Sequence, residues 1–197
     1  MKKTLLALLL ATSTSLCAAQ AGGPLSGLSV SGKVAGSVPP QARVAGFVLD
    51  GSGNPFSELV SVPVNGDGRF SLELPSVLPP QTALSALRSD SIFWPGLLEP
   101  VNVSGQVSAA DLRFYIYADS NGNGRRDSGE SLQEAVPFVG SSVLVVSFAS
   151  GAARVTAARG FQADLKAGWN GLLIEVGRTV KVTVGNSLSG VVLNTQR

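Results

Sequence analysis

Short runs of alternating or β-branched apolar residues recur along this chain, and turn-forming residues separate them. Segments such as Gly53-Asn54-Pro55 and Gly66-Asp67-Gly68 supply the positive or fixed φ angles that tight turns need. Short strands at this spacing predict an all-β fold, a mostly antiparallel β-sandwich with little helix. The predicted strands are Leu28–Val34, Ala42–Leu49, Leu59–Val64, Arg69–Leu74, Leu112–Ala118, Ser142–Phe148, Leu172–Val176, Thr179–Val184 and Gly190–Leu193.

Three segments between these runs are less regular. Pro80–Leu87 is the one plausible helical stretch, and Arg154–Lys166 alternates as a strand with a bend at Gly160. Asp90–Pro100 is the best candidate for a domain boundary, but its apolar residues favour a packed connection. We therefore expect a single β-sandwich domain over residues 22–197, with two small β domains split near 90–105 as the alternative.

The first 21 residues have the features of a secretory signal peptide. Lys2 and Lys3 precede the apolar run Leu5–Leu10, and Ala19-Gln20-Ala21 ends the segment with small residues. Cleavage is expected after Ala21 or Ala19, which predicts export to the periplasm, cell envelope or extracellular space. The apolar run is too short to cross a bilayer, and no later stretch reaches about 18 apolar residues. No transmembrane segment is expected in the mature chain.

Composition narrows the possible chemistry. The chain has 15 basic and 13 acidic residues, and Lys2 and Lys3 are the only charged residues of the signal, so the mature chain is neutral. A neutral chain without a basic cluster predicts no nucleic-acid binding. The single cysteine, Cys17, lies in the signal, which leaves no disulfide. Histidine is absent, which excludes histidine-dependent catalytic sites and imidazole metal ligands, so oxygen is the remaining ligand chemistry.

Residues 44–75 follow a regular order of strand, Gly-Asn-Pro turn, strand, Gly-Asp-Gly turn and strand. This order resembles the hairpins that open carboxypeptidase-regulatory-like or transthyretin-like modules. The resemblance implies an Ig-like or transthyretin-like sandwich and a module without activity of its own.

Residues 119–130, DSNGNGRRDSGE, match the twelve-residue calcium loop D-x-[DN]-x-[DN]-G-x5-E. The glycine at position six, Gly124, permits the turn, and alternate residues can direct oxygens to a hard cation. One structural Ca²⁺ is the expected cofactor, bound at about 10⁻⁴–10⁻³ M as in extracellular modules. The expected ligands are the side chains of Asp119, Asn121, Asn123, Asp127 and Glu130 and the backbone carbonyl of Arg125.

The flanks of this loop are predicted strands rather than helices. The alternating run Leu112–Ala118 precedes it, and a β-rich stretch with Pro137 follows. A calcium loop between strands, over residues 114–138, is similar to the B-repeats of bacterial surface adhesins. The ion is expected to have a structural role, because it would neutralise the clustered carboxylates and stiffen a long loop that no disulfide holds.

The expected function is structural, adhesive or assembly-related, with another envelope or surface protein or polymer as the partner. The alternative is a carbohydrate-binding module that uses an exposed Trp94 or Trp169. A carboxylate-based hydrolase would need two acids in one cleft, but the acids are scattered and familiar nucleophile motifs are absent. We therefore expect no enzyme and assign no catalytic residue.

Overall fold

The computed structural model describes residues 24–195, and the predicted signal peptide lies outside them. Within this range the chain is all-β, because its only helical pieces are three short 3-10 turns, Gln81–Ala83, Ser89–Ser91 and Ala158–Gly160. The strands are β1 Leu28–Val34, β2 Ala42–Leu49, β3 Pro55–Pro63, β4 Arg69–Leu74, β5 Ser85–Ala86, β6 Asn102–Ser104, β7 Ser108–Ala118, β8 Gln133–Val139, β9 Ser142–Ala149, β10 Ala153–Thr156, β11 Gln162–Leu165, β12 Gly168–Val176, β13 Val180–Gly185 and β14 Ser187–Thr195.

Seven strands form a curved, barrel-like layer in the order β3–β2–β7–β8–β14–β1–β4. The end strands β3 and β4 contact each other, which brings the two edges of the layer together. Every neighbouring pair in this series is antiparallel except β1 and β14, which run parallel. The predicted all-β, mostly antiparallel fold is therefore confirmed, in a barrel-like or sandwich arrangement with one parallel strand pairing that the sequence did not reveal.

The sheet also extends from β7 through β9 and β12 to β13, and a separate three-stranded sheet has the order β11–β10–β6. The larger hydrophobic cluster contains Phe114, Phe148 and Trp169. The second cluster contains Trp94 and Phe161. Strands β7, β9 and β12 contribute side chains to both clusters, so these three strands connect the two cores.

Alternation along the strands explains which faces are buried. In β4 the apolar residues Phe70, Leu72 and Leu74 are buried while the intervening polar residues are exposed. In β7, Phe114 and its even-numbered neighbours face the larger core, and Tyr115 packs on the opposite face. Successive residues of a strand point to opposite faces, which is why a single strand can serve two cores.

Three local expectations had different outcomes. Pro80–Leu87, the one plausible helical stretch, forms no α-helix, because one 3-10 turn and the two-residue strand β5 occupy this segment. Arg154–Lys166 forms two antiparallel strands, β10 and β11, with the chain reversing through the 3-10 turn that ends at Gly160. In the connection Asp90–Pro100, Trp94 is 5% exposed and packs in the core as expected, whereas Phe93 is 89% exposed.

Candidate functional site

The candidate metal-binding loop, residues 119–130, connects the end of β7 to the start of β8. The strand expected before it, Leu112–Ala118, is the second half of β7. Gly122 and Gly124 adopt φ angles of 70° and 80°, a left-handed conformation that glycine accommodates without a side-chain clash. These two glycines let the chain turn back tightly after Asp119.

Asp119, at position one, is 4% exposed and lies at the centre of the turn. Its Oδ1 accepts the Asn123 N–H at 3.0 Å, and its Oδ2 accepts the Gly124 N–H at 2.9 Å. The Arg43 guanidinium, on β2, lies 3.7 Å from the same Oδ2. The spacing between position one and position six therefore has a physical reason. Gly124 allows the backbone to turn, and this turn brings the Gly124 N–H group to the Asp119 carboxylate.

Asn121, Asn123 and Asp127 are exposed, and their side chains meet on one side of the loop. The Nδ2 atoms of Asn121 and Asn123 both donate to Asp127 Oδ2, at 2.6 and 2.8 Å. Their Oδ1 atoms accept backbone N–H groups, from Asn123 to Asn121 at 3.1 Å and from Arg125 to Asn123 at 2.8 Å. Hydrogen bonds between their side chains therefore hold positions three, five and nine of the loop, Asn121, Asn123 and Asp127, close together.

Glu130, at position twelve, is 8% exposed and closes the loop. Its Oε1 accepts the Ser120 N–H at 2.8 Å and the Ser120 hydroxyl at 3.0 Å, and its Oε2 accepts the Asp127 N–H at 3.0 Å. The Asp127 N–H, and after it the N–H and hydroxyl of Ser120, hold the pKa of Glu130 below its usual value, although burial opposes this effect. The carboxylate therefore links both ends of the loop through backbone donors.

The oxygen donors of the loop suit a hard cation, but the three acids do not form a ready-made cluster. Among residues 24–195, no group of three or more acidic, histidine or cysteine side chains is placed to hold a metal ion. Asp119 and Glu130 direct their oxygens to backbone N–H groups, while Asp127 is bound to the two asparagine amides. A calcium ion would therefore have to draw these oxygens away from their present hydrogen-bond partners.

Residues on β2 and β3 support the loop, and local sequence spacing gave no indication of them. Arg43 Nε donates to Ser61 Oγ at 2.7 Å, and Ser61 Oγ donates to the Gly124 carbonyl at 3.1 Å. Glu58 Oε2 accepts the Arg126 N–H at 3.0 Å. The pairing of β2 with both β3 and β7 brings these side chains beneath the loop. Only this long-range strand pairing could have identified Arg43, Ser61 and Glu58 as neighbours of the loop.

The two tryptophans do not provide the exposed platform required by the carbohydrate-binding alternative. Trp169 is 1% exposed and packs edge-to-face on Phe148, and Trp94 is stacked near Phe161. A sugar ring needs an accessible aromatic face on which to stack. The carbohydrate-binding alternative therefore loses the two residues on which it depended.

One cleft contains more than one carboxylate, and its geometry bears on the hydrolase alternative. Asp111 and Glu134 both line it. Glu134 pairs with Tyr115, four residues from Asp111 along β7, which corresponds to a separation of about 13 Å along the strand. Glycoside hydrolases place their two carboxylates about 5–9.5 Å apart. This backbone separation exceeds that range, and Glu134 is also ion-paired with Arg113, at 3.2 Å between Oε1 and Nη1. Neither observation supports Asp111 and Glu134 as a catalytic pair.

Comparison of this chain with family models, curated proteins and solved structures finds no match. Among residues 24–195, no helix is both long and apolar enough to cross a membrane.

Replacing Glu130 with glutamine is expected to reduce the acid sensitivity of folding. A carboxylate whose folded pKa is lowered stabilises the fold above its unfolded pKa, and this stabilisation is lost as the pH falls through the folded pKa. Urea unfolding of the native chain should therefore weaken more steeply between about pH 5 and pH 3 than that of Glu130→Gln. Asp50 and Asp164 also have lowered pKa values, but they are present in both proteins. Parallel pH profiles for the two proteins would contradict this role of Glu130.

Proposed function

We propose that this chain is an exported structural module, a β-sandwich that binds one calcium ion in the 119–130 loop and serves in adhesion or assembly at the cell envelope. The observation that carries the proposal is the placement of Asp119 and Glu130, two nearly buried carboxylates at the two ends of a loop rich in oxygen donors. The loop follows β7 immediately, and only Ser131 and Leu132 separate it from β8, so both of its ends are tied to strands of the barrel-like layer.

The ion would be held by the side-chain oxygens of Asp119, Asn121, Asn123, Asp127 and Glu130 and by the carbonyl of Arg125. Bound calcium would supply a divalent charge that offsets the three carboxylates and connects the loop ends. Arg126 Nε donates to the Glu130 carbonyl at 3.0 Å, and Arg43 lies close to Asp119. These guanidinium groups partly offset the acidic charge, which supports modest rather than tight calcium affinity.

Open sheet edges and exposed apolar side chains support an assembly role. Within residues 24–195, β13 pairs only with β12, and β6 pairs only with β10, so each has one edge without a strand partner. Unpaired edges can accept a further strand from another chain. Val77, Leu78 and Phe93 are exposed apolar side chains of the kind that occur at contact surfaces. The proposed partner is another envelope or surface protein or a surface polymer.

Calcium is expected to raise the melting temperature of the native protein. With a dissociation constant of about 10⁻⁴–10⁻³ M, about 10 mM calcium would add about 1.4–2.7 kcal/mol to the free energy of unfolding. For a chain of this size, this corresponds to an increase of about 3–10 °C relative to the protein in chelator. Thermal melts in calcium, in magnesium and in chelator provide the measurement.

Two variants separate binding in the loop from a general ionic effect. Asp127→Asn removes an exposed carboxylate from the loop, and Asp67→Asn removes an exposed carboxylate from the turn between β3 and β4. The first variant should lose most of the calcium-dependent increase, whereas the second should retain it. The proposed metal site is wrong if calcium leaves the native melting temperature unchanged, or if both variants respond as the native protein does.

A further inference from the structure

A groove that contains no residue of the metal-binding loop lies where the segment from Leu84 to Pro95 passes over β7 and β9. Its volume is about 910 Å³, within the range typical of small-molecule sites. Phe93, which is 89% exposed, and the inner residues Leu87, Ile92 and Trp94, which are 5–8% exposed, supply its apolar lining. The three inner residues belong to the second hydrophobic cluster. The groove can therefore accommodate a compact molecule with an apolar part.

The polar centre of this groove is Asp111, on β7. The Trp94 indole Nε1 donates to its carboxylate, with both oxygens at 3.4 Å, a long hydrogen bond. Ser147 lies opposite Asp111 in the β7–β9 ladder and is fully buried. Its Oγ makes no hydrogen bond of good geometry among the described residues, but it lies close enough to the Asp111 carboxylate to oppose the effect of burial on the pKa of that group. Within residues 24–195, no basic side chain forms an ion pair with Asp111.

The other charged groups of the groove leave it with an excess of negative charge. Asp50, Arg113 and Glu134 also line it, and Arg113 Nη1 lies 3.2 Å from Glu134 Oε1. The guanidinium is therefore already paired with a carboxylate. Asp50 accepts the backbone N–H groups of Asn54 and Ser52, which hold its pKa below the usual value and keep it ionised near neutral pH. Among residues 24–195, neither Asp50 nor Asp111 forms an ion pair, and Arg113 acts on Asp111 only from a longer distance.

We propose that this groove binds a small organic cation, with an ammonium group on the Asp111 carboxylate and the apolar part of the molecule against Leu87, Ile92 and Trp94. An ammonium group would provide the unpaired carboxylate with a charged donor, which makes a stronger hydrogen bond than a neutral donor. The Ser147 hydroxyl is an additional polar group beside this position. This proposal does not depend on calcium binding, because the groove and the 119–130 loop share none of these residues.

Benzylamine and benzyl alcohol are suitable probes because they have similar shapes, and only the amine is charged at neutral pH. Titration is followed by the indole N–H resonances of the two tryptophans in ¹⁵N-labelled protein. Trp94 should shift on addition of benzylamine, and Trp169, which packs in the other core, should not. The amine should bind at least about tenfold more tightly than the alcohol, which corresponds to about 1.4 kcal/mol. Equal binding of the two probes, or no shift at Trp94, would overturn the proposal.

Asp111→Asn is the decisive variant, with Asp90→Asn as its matched control. Asp90 lies in the Leu84–Pro95 segment that passes over the groove, but it is paired with Arg88 and does not line the groove. The first variant should lose the preference for amine over alcohol, and the second should keep it. Burial raises the pKa of Asp111, and Ser147, Trp94 and Arg113 oppose this only in part. The ionised carboxylate therefore destabilises the fold as the pH rises above its unfolded pKa, so Asp111→Asn is expected to fold well at neutral pH.

The native protein provides a second test that does not depend on the variant. Benzylamine affinity should increase with pH as Asp111 loses its proton, with a midpoint above the ordinary pKa of aspartate. Asp50 and Glu134 are the other carboxylates that line the groove, and the pKa of Asp50 is lowered, so its titration would give a midpoint below the ordinary value. A midpoint below the ordinary value, or an affinity independent of pH from about 3 to 8, would rule out Asp111 as the anchor.

Discussion

Replacing Gly32 with alanine is expected to destabilise the fold severely. An alanine Cβ at this position in β1 would lie 1.8 Å from the Val191 carbonyl oxygen and 2.6 Å from the Val191 carbonyl carbon, on β14. Both neighbours are backbone atoms, so the contact cannot be relieved by a change of side-chain rotamer. Overpacking in a rigid interior costs about 1–3 kcal/mol and sometimes more, and for this backbone clash we expect a loss above about 3 kcal/mol.

The strands on either side restrict the movement that would relieve this clash. Strand β1 is paired with β4 on its other edge, and β14 is paired with β8. The parallel pairing of β1 with β14 has a register shift next to Gly32, and the close approach of the chains occurs there. Separating β1 from β14 would open the barrel-like layer. The change should therefore reduce the stability of the whole layer rather than of one strand.

Urea unfolding of Gly32→Ala is compared with that of Gly185→Ala, a matched glycine in β13. A Cβ at Gly185 would meet no heavy atom within 4 Å, so its replacement should change the free energy of unfolding by no more than about 0.5 kcal/mol. Similar, small effects in the two variants would show that the β1–β14 approach is not as close as the structure has it. If Gly32→Ala yields no folded protein while Gly185→Ala folds normally, the expected severity is confirmed.

The local elements of this fold could be predicted from sequence because strand alternation is a local pattern. The predicted bounds of Leu28–Val34, Ala42–Leu49 and Arg69–Leu74 agree with β1, β2 and β4. The order of the strands is not local. The parallel pairing of β1 with β14 joins residues about 160 positions apart, and its register depends on the close approach at Gly32. No spacing within either segment indicates this pairing.

The errors of prediction arose where apolar residues were not arranged with a clear period. Pro80–Leu87 has few β-branched residues and was the one plausible helical stretch, yet Ser85 and Ala86 within it pair with β7. In the segment Asp90–Pro100, Ile92 and Trp94 enter the core, while Phe93 between them faces solvent. Hydrophobicity alone could not show that Phe93 faces solvent while its two neighbours are buried. The direction of each side chain depends on how the backbone lies on the strands beneath it.

The candidate metal-binding loop was predictable to the extent that its geometry follows from its own twelve residues. The spacing identified Asp119, Gly124 and Glu130, whose hydrogen bonds define the turn and its closure. It could not identify Arg43 or Ser61, because these side chains reach the loop through the pairing of β2 with β7 and β3. The sequence therefore predicted the loop itself but not the groups that support it.

Replacing Asp119 with alanine is expected to cost about 3 kcal/mol or more, even in chelator. The change removes the acceptors of the Asn123 and Gly124 N–H groups and leaves the partly buried Arg43 without its carboxylate. Hydrogen bonds to a charged group contribute about 1.5–3 kcal/mol each, and an unpaired charge left in a poorly hydrated site adds a further cost. Urea unfolding of Asp119→Ala in chelator measures this effect separately from calcium binding.

Two comparisons determine whether this loss arises from the geometry of the loop. Asp127→Ala removes an exposed carboxylate of the same loop that accepts only side-chain amide donors, so it should cost less than about 1 kcal/mol in chelator. In an Arg43→Met background, Asp119→Ala should cost less than in the native background, because the stranded guanidinium is absent. Equal costs in both backgrounds would mean that Arg43 and Asp119 are not coupled. A cost for Asp119→Ala no larger than that for Asp127→Ala would mean that the buried carboxylate does not hold the turn, and the loop would then need calcium to order it.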